Sequence, residues 1–179
     1  MDLFGFAISF NWYEFWIGME YEFKAPVLGF EYITRYEFEK IDEYFAKITQ
    51  KNKPKNTNQK HKNKNLSQDS HNKEPHKIDS QNLDTTPIEI MLINPYALRE
   101  YSFKIPKYIE LLLGITSNSQ IEVYCPLTLH SHIQDSTINF LAPIVFHLTN
   151  KQAAQVALSM MDYPNFGFKE SLQSFLKER

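Results

Sequence analysis

The sequence predicts an all-β protein: a single curled antiparallel sheet or small β-barrel-like domain, with one or two short helices. Aromatic residues make up 15% of the 179 residues and include 14 Phe and 10 Tyr, and aromatic side chains favour strands. About seven to nine short apolar or alternating segments stand against one or two of helical spacing. Short turns between them favour antiparallel pairing, and a curled sheet protects its edges.

The N-terminal part predicts two strands and one ambiguous segment. Residues 21–30 read as a strand that runs into a turn containing Pro26 and Gly29. Residues 33–41 alternate aromatic with charged side chains, which is typical of a half-buried strand. Residues 44–48 fit either a third strand or a helical turn.

The middle of the chain predicts three strands and a helix. Residues 88–93 are apolar on both faces apart from one Glu, as in a central strand. Alternation predicts further strands at 101–105 and 121–129. Between them, apolar residues at helical spacing follow Pro106, and Gly114 suits the left-handed residue after a helix.

Residues 137–168 predict the centre of the sheet. A strand covered on both faces runs over 138–146, and a polar turn follows at 148–152. A returning strand at 155–160 ends before Tyr163-Pro164, because proline cannot donate to a ladder. A short terminal helix is predicted within 171–179.

Composition divides the chain into three parts. Residues 51–86 are rich in Lys, Asn, Gln and Ser, and we expect a disordered insertion there. Residues 1–18 are expected to be a disordered N-terminal extension, so a single domain covers 19–50 and 87–179. The insertion contains eight Lys and four acidic residues. The rest of the chain therefore has 11 basic and 17 acidic residues, a formal charge of about −6. Such a charge favours a basic partner over direct nucleic-acid binding.

The apolar start of the chain does not predict a signal peptide or a membrane span. No Lys or Arg precedes the apolar run, and Asp2 and Glu14 interrupt it. We expect Met19 to be the working start, with an amphipathic membrane or partner contact as the alternative. The single Cys125 fits a reducing compartment, so we expect a cytoplasmic protein with no membrane partner.

Motif spacing alone identifies no enzyme. There is no glycine-rich phosphate loop and no nucleophile elbow. His130, His132 and Asp135 could bind a metal, but they lie in a predicted polar turn. Cys125 is interpreted as a buried structural thiol and His147 as a satisfied edge histidine. We therefore predict no catalytic residue, metal, cofactor or small-molecule substrate.

Four stretches in order resemble one family, the flagellar assembly factor FliW, in the form found in epsilon-class bacteria. They are Ala-Pro-Val-Leu-Gly-Phe-Glu (25–31), Asn-Pro-Tyr-Ala-Leu-Arg-Glu-Tyr (94–101), Ile-Asn-Phe-Leu-Ala-Pro-Ile-Val (138–145) and Gln-Val-Ala-Leu-Ser-Met-Met-Asp-Tyr-Pro (155–164). The resemblance covers 19–48 and 87–176, and has no counterpart for 1–18 or for the insertion.

The resemblance implies a non-enzymatic regulator of flagellin translation. Members of that family bind the translational repressor CsrA, which stops it from silencing flagellin message, and they also bind flagellin, which displaces them. Such partner switching needs only two competing equilibria on one body. The antagonism could be direct or allosteric, and the two partners could share a surface or not.

A Tyr- and Arg-containing turn is the hypothesised contact surface. Tyr and Arg are enriched in binding hot spots, and the alternative is that the turn is structural, with Tyr96 in the core. Asn139 and Pro143 are interpreted as structural residues. The alternative functions are a small-barrel nucleic-acid binder that uses the Lys-rich insertion and a metal-dependent enzyme. The hypothesised partner-binding residues are Asn94, Pro95, Tyr96, Arg99, Glu100 and Tyr101.

Overall fold

The computed structural model describes residues 18–51 and 86–176, which contain nine strands and two α-helices. A 3-10 helix at Pro95–Ala97 follows the fourth strand, and another at Ile133–Asp135 precedes the sixth. The strands are β1 Met19–Ala25, β2 Arg35–Lys40, β3 Phe45–Gln50, β4 Glu89–Ile93, β5 Ile121–Thr128, β6 Thr137–Ile138, β7 Ile144–His147, β8 Gln152–Gln155 and β9 Glu170–Ser171; the helices are α1 Lys107–Leu113 and α2 Leu172–Leu176.

Seven of these strands close into a barrel. The hydrogen-bonded order is β4-β3-β2-β1-β8-β7-β5, and β5 pairs back with β4 through Ile93 and Cys125. The short strands β6 and β9 continue from β5 outside the ring. Closure leaves the barrel strands paired on both sides over most of their length, which protects their backbone edges. The predicted barrel-like all-β fold is confirmed.

The inside of the barrel is an aromatic core. All seven barrel strands contribute a buried side chain to it, because alternate residues of a strand point to the same face. In β2, Tyr36 and Phe38 point inward while Glu37 and Glu39 lie on the outer face. Several of its ring pairs meet edge to face, as Tyr21 and Phe146 do at 5.0 Å.

A second core covers one outer side of the barrel. The outward side chains of β4, β5, β7 and β8 are apolar there, among them Cys125 and Val145. They pack against Ile109 and Leu113 of α1, against the segment that holds Tyr101, and against α2. This side of the sheet is therefore apolar on both faces, as predicted for a central strand at 88–93 and for the run at 144–146.

Several predicted elements are confirmed with small shifts of their ends. The strands at 21–30, 33–41, 88–93 and 121–129 are β1, β2, β4 and β5, and the ambiguous segment at 44–48 is the strand β3. Helix α1 begins after Pro106 and ends at Gly114, whose φ is +67°. A left-handed residue at that point lets the Gly114 N–H bond back to the carbonyls of the last turn.

The predicted strand at 101–105 is wrong. This segment is extended but pairs with no strand of the described chain, because it crosses the outer core instead of following a sheet edge. The Lys104 N–H donates to the Tyr163 hydroxyl at 3.0 Å instead of to a ladder. Tyr101 is buried because it packs onto the sheet from outside.

The predicted strand over 138–146 is interrupted in the structure. It is divided into β6 and β7, with an irregular bend between them. The Asn139 side chain accepts the Leu141 N–H at 3.1 Å, and Pro143 has no N–H to donate. The structural interpretation of Asn139 and Pro143 agrees with this bend.

The predicted returning strand at 155–160 lies earlier, at β8. Beyond β8, Val156 and Leu158 still donate to the carbonyls of Pro143 and Leu141, both at 2.8 Å, although the chain is no longer a regular strand. The pairing of β8 with β1 is parallel, against the antiparallel expectation, and it is the one parallel pair in the described sheet. The turn predicted at 148–152 is present, with Lys151 at φ 53°.

The predictions for residues 1–18 and 51–86 fall almost wholly outside the described residues. The division of the chain into an extension, an insertion and one domain therefore stays a prediction. Within the described ranges, no helix combines the length and apolar character that crossing a bilayer requires.

Candidate functional site

Residues 94–100 form a ridge on the outside of the barrel where the chain leaves β4. Asn94 fixes its start: the Asn94 side chain accepts the Tyr96 N–H at 3.1 Å and donates to the Glu43 carbonyl at 3.2 Å. The Asn94 N–H also donates to the Tyr44 carbonyl at 2.7 Å. The ridge is thus tied to the β2–β3 hairpin and caps its own 3-10 helix.

Two of the hypothesised contact residues, Pro95 and Tyr101, are buried. Pro95 is buried at the start of the 3-10 helix. Tyr101 is only 3% exposed, and its hydroxyl donates to the Phe140 carbonyl at 2.8 Å. The Tyr101 ring stacks on Phe166 at 4.7 Å. These two residues can support a binding surface but do not present one.

Tyr96 and Glu100 carry the exposed surface of the ridge. The Tyr96 side chain is 56% exposed, so the alternative that places it in the core is wrong. Its ring meets Tyr101 edge to face at 5.9 Å, which restricts its motion. Glu100 is exposed. An aromatic ring held by the core beside an exposed carboxylate is typical of a preorganised contact surface.

Arg99 is held in place by an ion pair and two rings. Its guanidinium lies 3.3 Å from a carboxylate oxygen of Glu170, and its Cζ is 5.6 Å from the ring centroids of both Phe140 and Phe166. The side chain is 27% exposed. Glu170 also accepts the Gly167 N–H at 2.6 Å. Arg99 therefore joins the ridge to β9 and still reaches the surface.

The ridge separates two grooves. The first, which we call the mouth groove, lies at the end of the barrel where β4 stops and β5 begins. The second, the loop groove, lies between the ridge and the segment at 162–166. The mouth groove is lined by Lys40, Asn94, Tyr96, Ile121, Glu122, Val123 and Tyr124, and the loop groove by Arg99, Glu100, Ser102, Asp162, Tyr163, Pro164, Asn165 and Phe166.

Glu122 is the unusual group in the mouth groove. Burial raises the pKa of its carboxyl, and the nearby Lys40 charge and a hydrogen bond from Tyr124 partly offset that rise. Its Oε2 atom is shielded from solvent and has no hydrogen-bond partner among the described residues. Burial and this carboxylate together raise the pKa of Tyr21 to about 12. The groove therefore contains an incompletely satisfied acceptor.

The sequence pointed to neither Glu122 nor Lys40 as functional. A signal for Glu122 was present, because the predicted β5 places it on the face opposite Val123 and Cys125, together with Tyr124. A carboxylate on the inner face of an aromatic barrel is unusual. Lys40 carries the same signal, because alternation along the predicted strand places it on the face of Tyr36 and Phe38, opposite the charged Glu37 and Glu39.

The other titratable candidates form no second site. His132 and Asp135 are 3.9 Å apart and both well exposed, and no cluster of three or more metal-ligating side chains is found within 18–51 and 86–176. Cys125 is buried, which raises the pKa of its thiol to about 12. Such a thiol is a poor nucleophile.

His147 is buried and satisfied, as its structural interpretation requires. One ring nitrogen, Nε2, lies 3.0 Å from the Ser119 hydroxyl, and Nδ1 accepts the Asn150 N–H at 3.2 Å. The side chain of Asn150 in turn donates to the Leu113 carbonyl at 3.2 Å, so His147 helps to join the turn before β8 to the end of α1.

The described residues carry an excess of negative charge. They contain 10 Lys and Arg against 14 Asp and Glu, which leaves a formal charge of about −4. The lining of the mouth groove itself contains one acidic and one basic residue, Glu122 and Lys40. A basic partner would therefore be attracted to the described part of the chain as a whole.

Comparison with known proteins gives consistent matches. The family model described as FliW protein matches residues 59–171. The flagellar assembly factor FliW of Helicobacter pylori (strain G27) is 45% identical over 158 residues, which cover 88% of this chain and 95% of that protein. Flagellar assembly factor FliW 1 of Wolinella succinogenes is 39% identical over 160 residues, covering 89% and 100%. The crystal structure of a flagellar assembly factor FliW superimposes with a TM-score of 0.60 at 18% identity, covering 86% of this chain and 85% of that one, which shows the shared fold.

Proposed function

The chain belongs to the FliW family of flagellar assembly factors, and from that premise we propose that it is a non-enzymatic binding regulator in the cytoplasm. In this proposal it sequesters the translational repressor CsrA and also binds flagellin. Flagellin that accumulates would capture the chain, release the repressor and lower flagellin synthesis. Assembly of the filament would thereby set the rate at which its subunit is made.

One observation carries the proposal: a rigid ridge of exposed and anchored residues stands between two open grooves. Tyr96 and Arg99 are held by contacts with the core and with Glu170, so little conformational entropy would be lost in ordering them on binding. Such a surface suits protein recognition, in which a few preorganised aromatic and Arg residues dominate the affinity.

The charge of the described residues supports a basic protein partner. A formal charge of about −4 repels nucleic acid phosphates and attracts a basic RNA-binding protein. A regulator that removes a repressor from message needs affinity for the repressor and little for the RNA. The alternative, a nucleic-acid binder, depends on the Lys residues of 51–86, all of which except Lys51 lie outside the described residues.

Calorimetry with purified CsrA and purified flagellin tests the proposal. We expect both proteins to bind the full chain. We expect Glu100→Lys to weaken CsrA binding by roughly five- to tenfold, because it reverses a charge on the ridge. Glu31→Lys is the control, since Glu31 is also exposed but lies in the turn before β2. Absence of binding to either protein would contradict the function, and equal losses in the two variants would contradict the site.

A gel shift with flagellin leader RNA separates the two function classes. The proposal predicts that the chain alone leaves the RNA unshifted and that it removes CsrA from the RNA when both are present. A shift by the chain alone, lost as salt is raised, would support the nucleic-acid binder instead.

A further inference from the structure

The mouth groove exposes a free strand edge of the barrel. β5 pairs with β4 only from Cys125 onward, while Ile121 to Tyr124 pair with β7 alone. β4 ends at Ile93 and the chain then turns away into the ridge. Four residues of β5, roughly 13 Å of strand, therefore have a neighbour on one side only within the described chain.

The hydrogen-bonding pattern of β5 shows which of its backbone groups face the free edge. The Leu148 N–H donates to the Gln120 carbonyl, and the Asn139 N–H to the Pro126 carbonyl, so even-numbered residues of β5 direct their backbone groups toward β7 and β6. In an antiparallel strand the alternate residues face the other way. The N–H and C=O groups of Ile121 and Val123 consequently point into the mouth groove.

A side-chain acceptor lies beside this edge. The Oε2 atom of Glu122 is shielded and unpaired within the described residues, and Tyr96 forms the opposite wall with an exposed ring. The described residues as a whole carry a formal charge of about −4, which favours a basic segment over an acidic one. An unpaired strand edge, an unpaired carboxylate oxygen and an aromatic wall thus meet in one place.

We propose that the mouth groove binds an extended, basic segment of a partner protein, which adds a short strand to the free edge of β5. Backbone groups of the segment pair with Ile121 and Val123, as in strand addition to other sheets. A Lys or Arg of the segment pairs with the carboxyl of Glu122, whose shielded Oε2 atom is reached once the side chain turns toward the groove, and an apolar residue packs on Tyr96. This inference rests on the proposed function, because it describes how one of the two partners is held.

Amide hydrogen exchange measured by NMR tests the backbone pairing. The probe is purified CsrA, and then purified flagellin, added to the full isotope-labelled chain. On binding we expect exchange at the Ile121 and Val123 amides to slow by at least about tenfold, while Glu122 and Tyr124, already bonded to β7, change little. Uniform slowing along β5, or none, would contradict strand addition.

The free chain provides the control for other occupants. If the Ile121 and Val123 amides are already protected in the free chain, another part of this chain occupies the edge and the proposal is wrong. If protection appears only as the concentration of the free chain rises, a second copy binds there, which also contradicts it.

Substitutions test the side-chain part of the proposal. Glu122→Gln keeps the shape of the side chain and is expected to weaken binding of the docked partner about ten- to hundredfold, as for loss of a charge-assisted hydrogen bond. Asp135→Asn, which changes an exposed carboxylate far from the groove, is the matched control. Tyr96→Ala is compared with Tyr108→Ala, since these rings are 56% and 59% exposed.

The outcomes separate this inference from the proposed function. If neither protein binds the unaltered chain, the proposed function fails. If a partner binds but Glu122→Gln and Tyr96→Ala behave as their controls do, the function stands and the mouth groove is not the docking site.

Discussion

Tyr101→Phe is expected to destabilise the fold while leaving the exposed surface of the ridge unchanged. The Tyr101 hydroxyl donates to the Phe140 carbonyl at 2.8 Å in a place where the ring is 3% exposed. The substitution removes that donor and leaves a buried carbonyl without its partner. The aromatic contacts with Phe166 and Phe103 remain, because the ring itself is kept.

The cost follows from the two consequences of losing the hydroxyl. A typical hydrogen bond contributes about 0.5–1.5 kcal/mol net, and a buried group left unpaired costs about 1–3 kcal/mol. We therefore expect the free energy of unfolding to fall by about 1–3 kcal/mol. For a chain of this size each kcal/mol corresponds to about 2–4 °C in Tm.

Urea unfolding followed by circular dichroism measures the change. The midpoint is expected to fall at constant slope, because the denaturant dependence reflects the surface exposed on unfolding. Tyr96→Phe is the control and should stay within about 0.5 kcal/mol, as for a surface substitution. CsrA affinity of folded Tyr101→Phe should equal that of the unaltered chain. Unchanged stability of Tyr101→Phe would contradict the supporting role of Tyr101. A loss of CsrA affinity in the fully folded variant would show that Tyr101 also contributes to the binding surface.

Three further predictions follow from single sites. Gly114→Ala should cost about 1–2 kcal/mol in urea unfolding, because Gly114 has φ +67° and an added Cβ would lie 3.4 Å from the Asn150 amide; equal midpoints would contradict this. Cys125 should react with a thiol reagent only as fast as the chain unfolds, since burial raises the pKa of its thiol to about 12; rapid labelling of the folded chain would contradict its burial. Because the pKa of Glu122 is raised in the folded state, the folded chain binds more protons than the unfolded chain does, and its stability falls as the pH rises above the usual value of 4.5. Glu122→Gln should therefore lose less stability in urea unfolding than the unaltered chain as the pH rises from acid to neutral. An equal loss in the two proteins would contradict the raised pKa.

The sequence could predict those strands whose two faces differ in polarity. In β2, Tyr36 and Phe38 alternate with charged residues, and a period of two is typical of a strand with one buried face. The end of α1 could also be predicted from a local pattern, because Gly114 after a short apolar helical segment predicts a left-handed residue. Such features depend on side chains within a few positions of one another, so the local sequence is sufficient to predict them.

The sequence could not predict features that depend on distant neighbours. Tyr101 and Phe103 alternate with polar residues just as a strand would, but the segment lies across an outer core and has no strand of the described chain beside it. The parallel pairing of Glu22 with Gln152 joins residues far apart along the chain, and no local pattern encodes it. The same limit applies to the site, because the nearness of Lys40 to Glu122 depends on closure of the barrel.

The spacing of the two grooves bears on how partner switching could operate. Tyr96 and Glu100 are four residues apart, so their Cα atoms are separated by at most about 15 Å. A protein partner of ordinary size covers about 800 Å² on each side, a patch about 32 Å across if round. A partner centred on Tyr96, in the wall of the mouth groove, would therefore reach Glu100, in the wall of the loop groove, and would overlap a partner bound there. If both proposed partners bind at the ridge, steric exclusion is sufficient for one to displace the other, and the proposal requires no conformational change of the barrel.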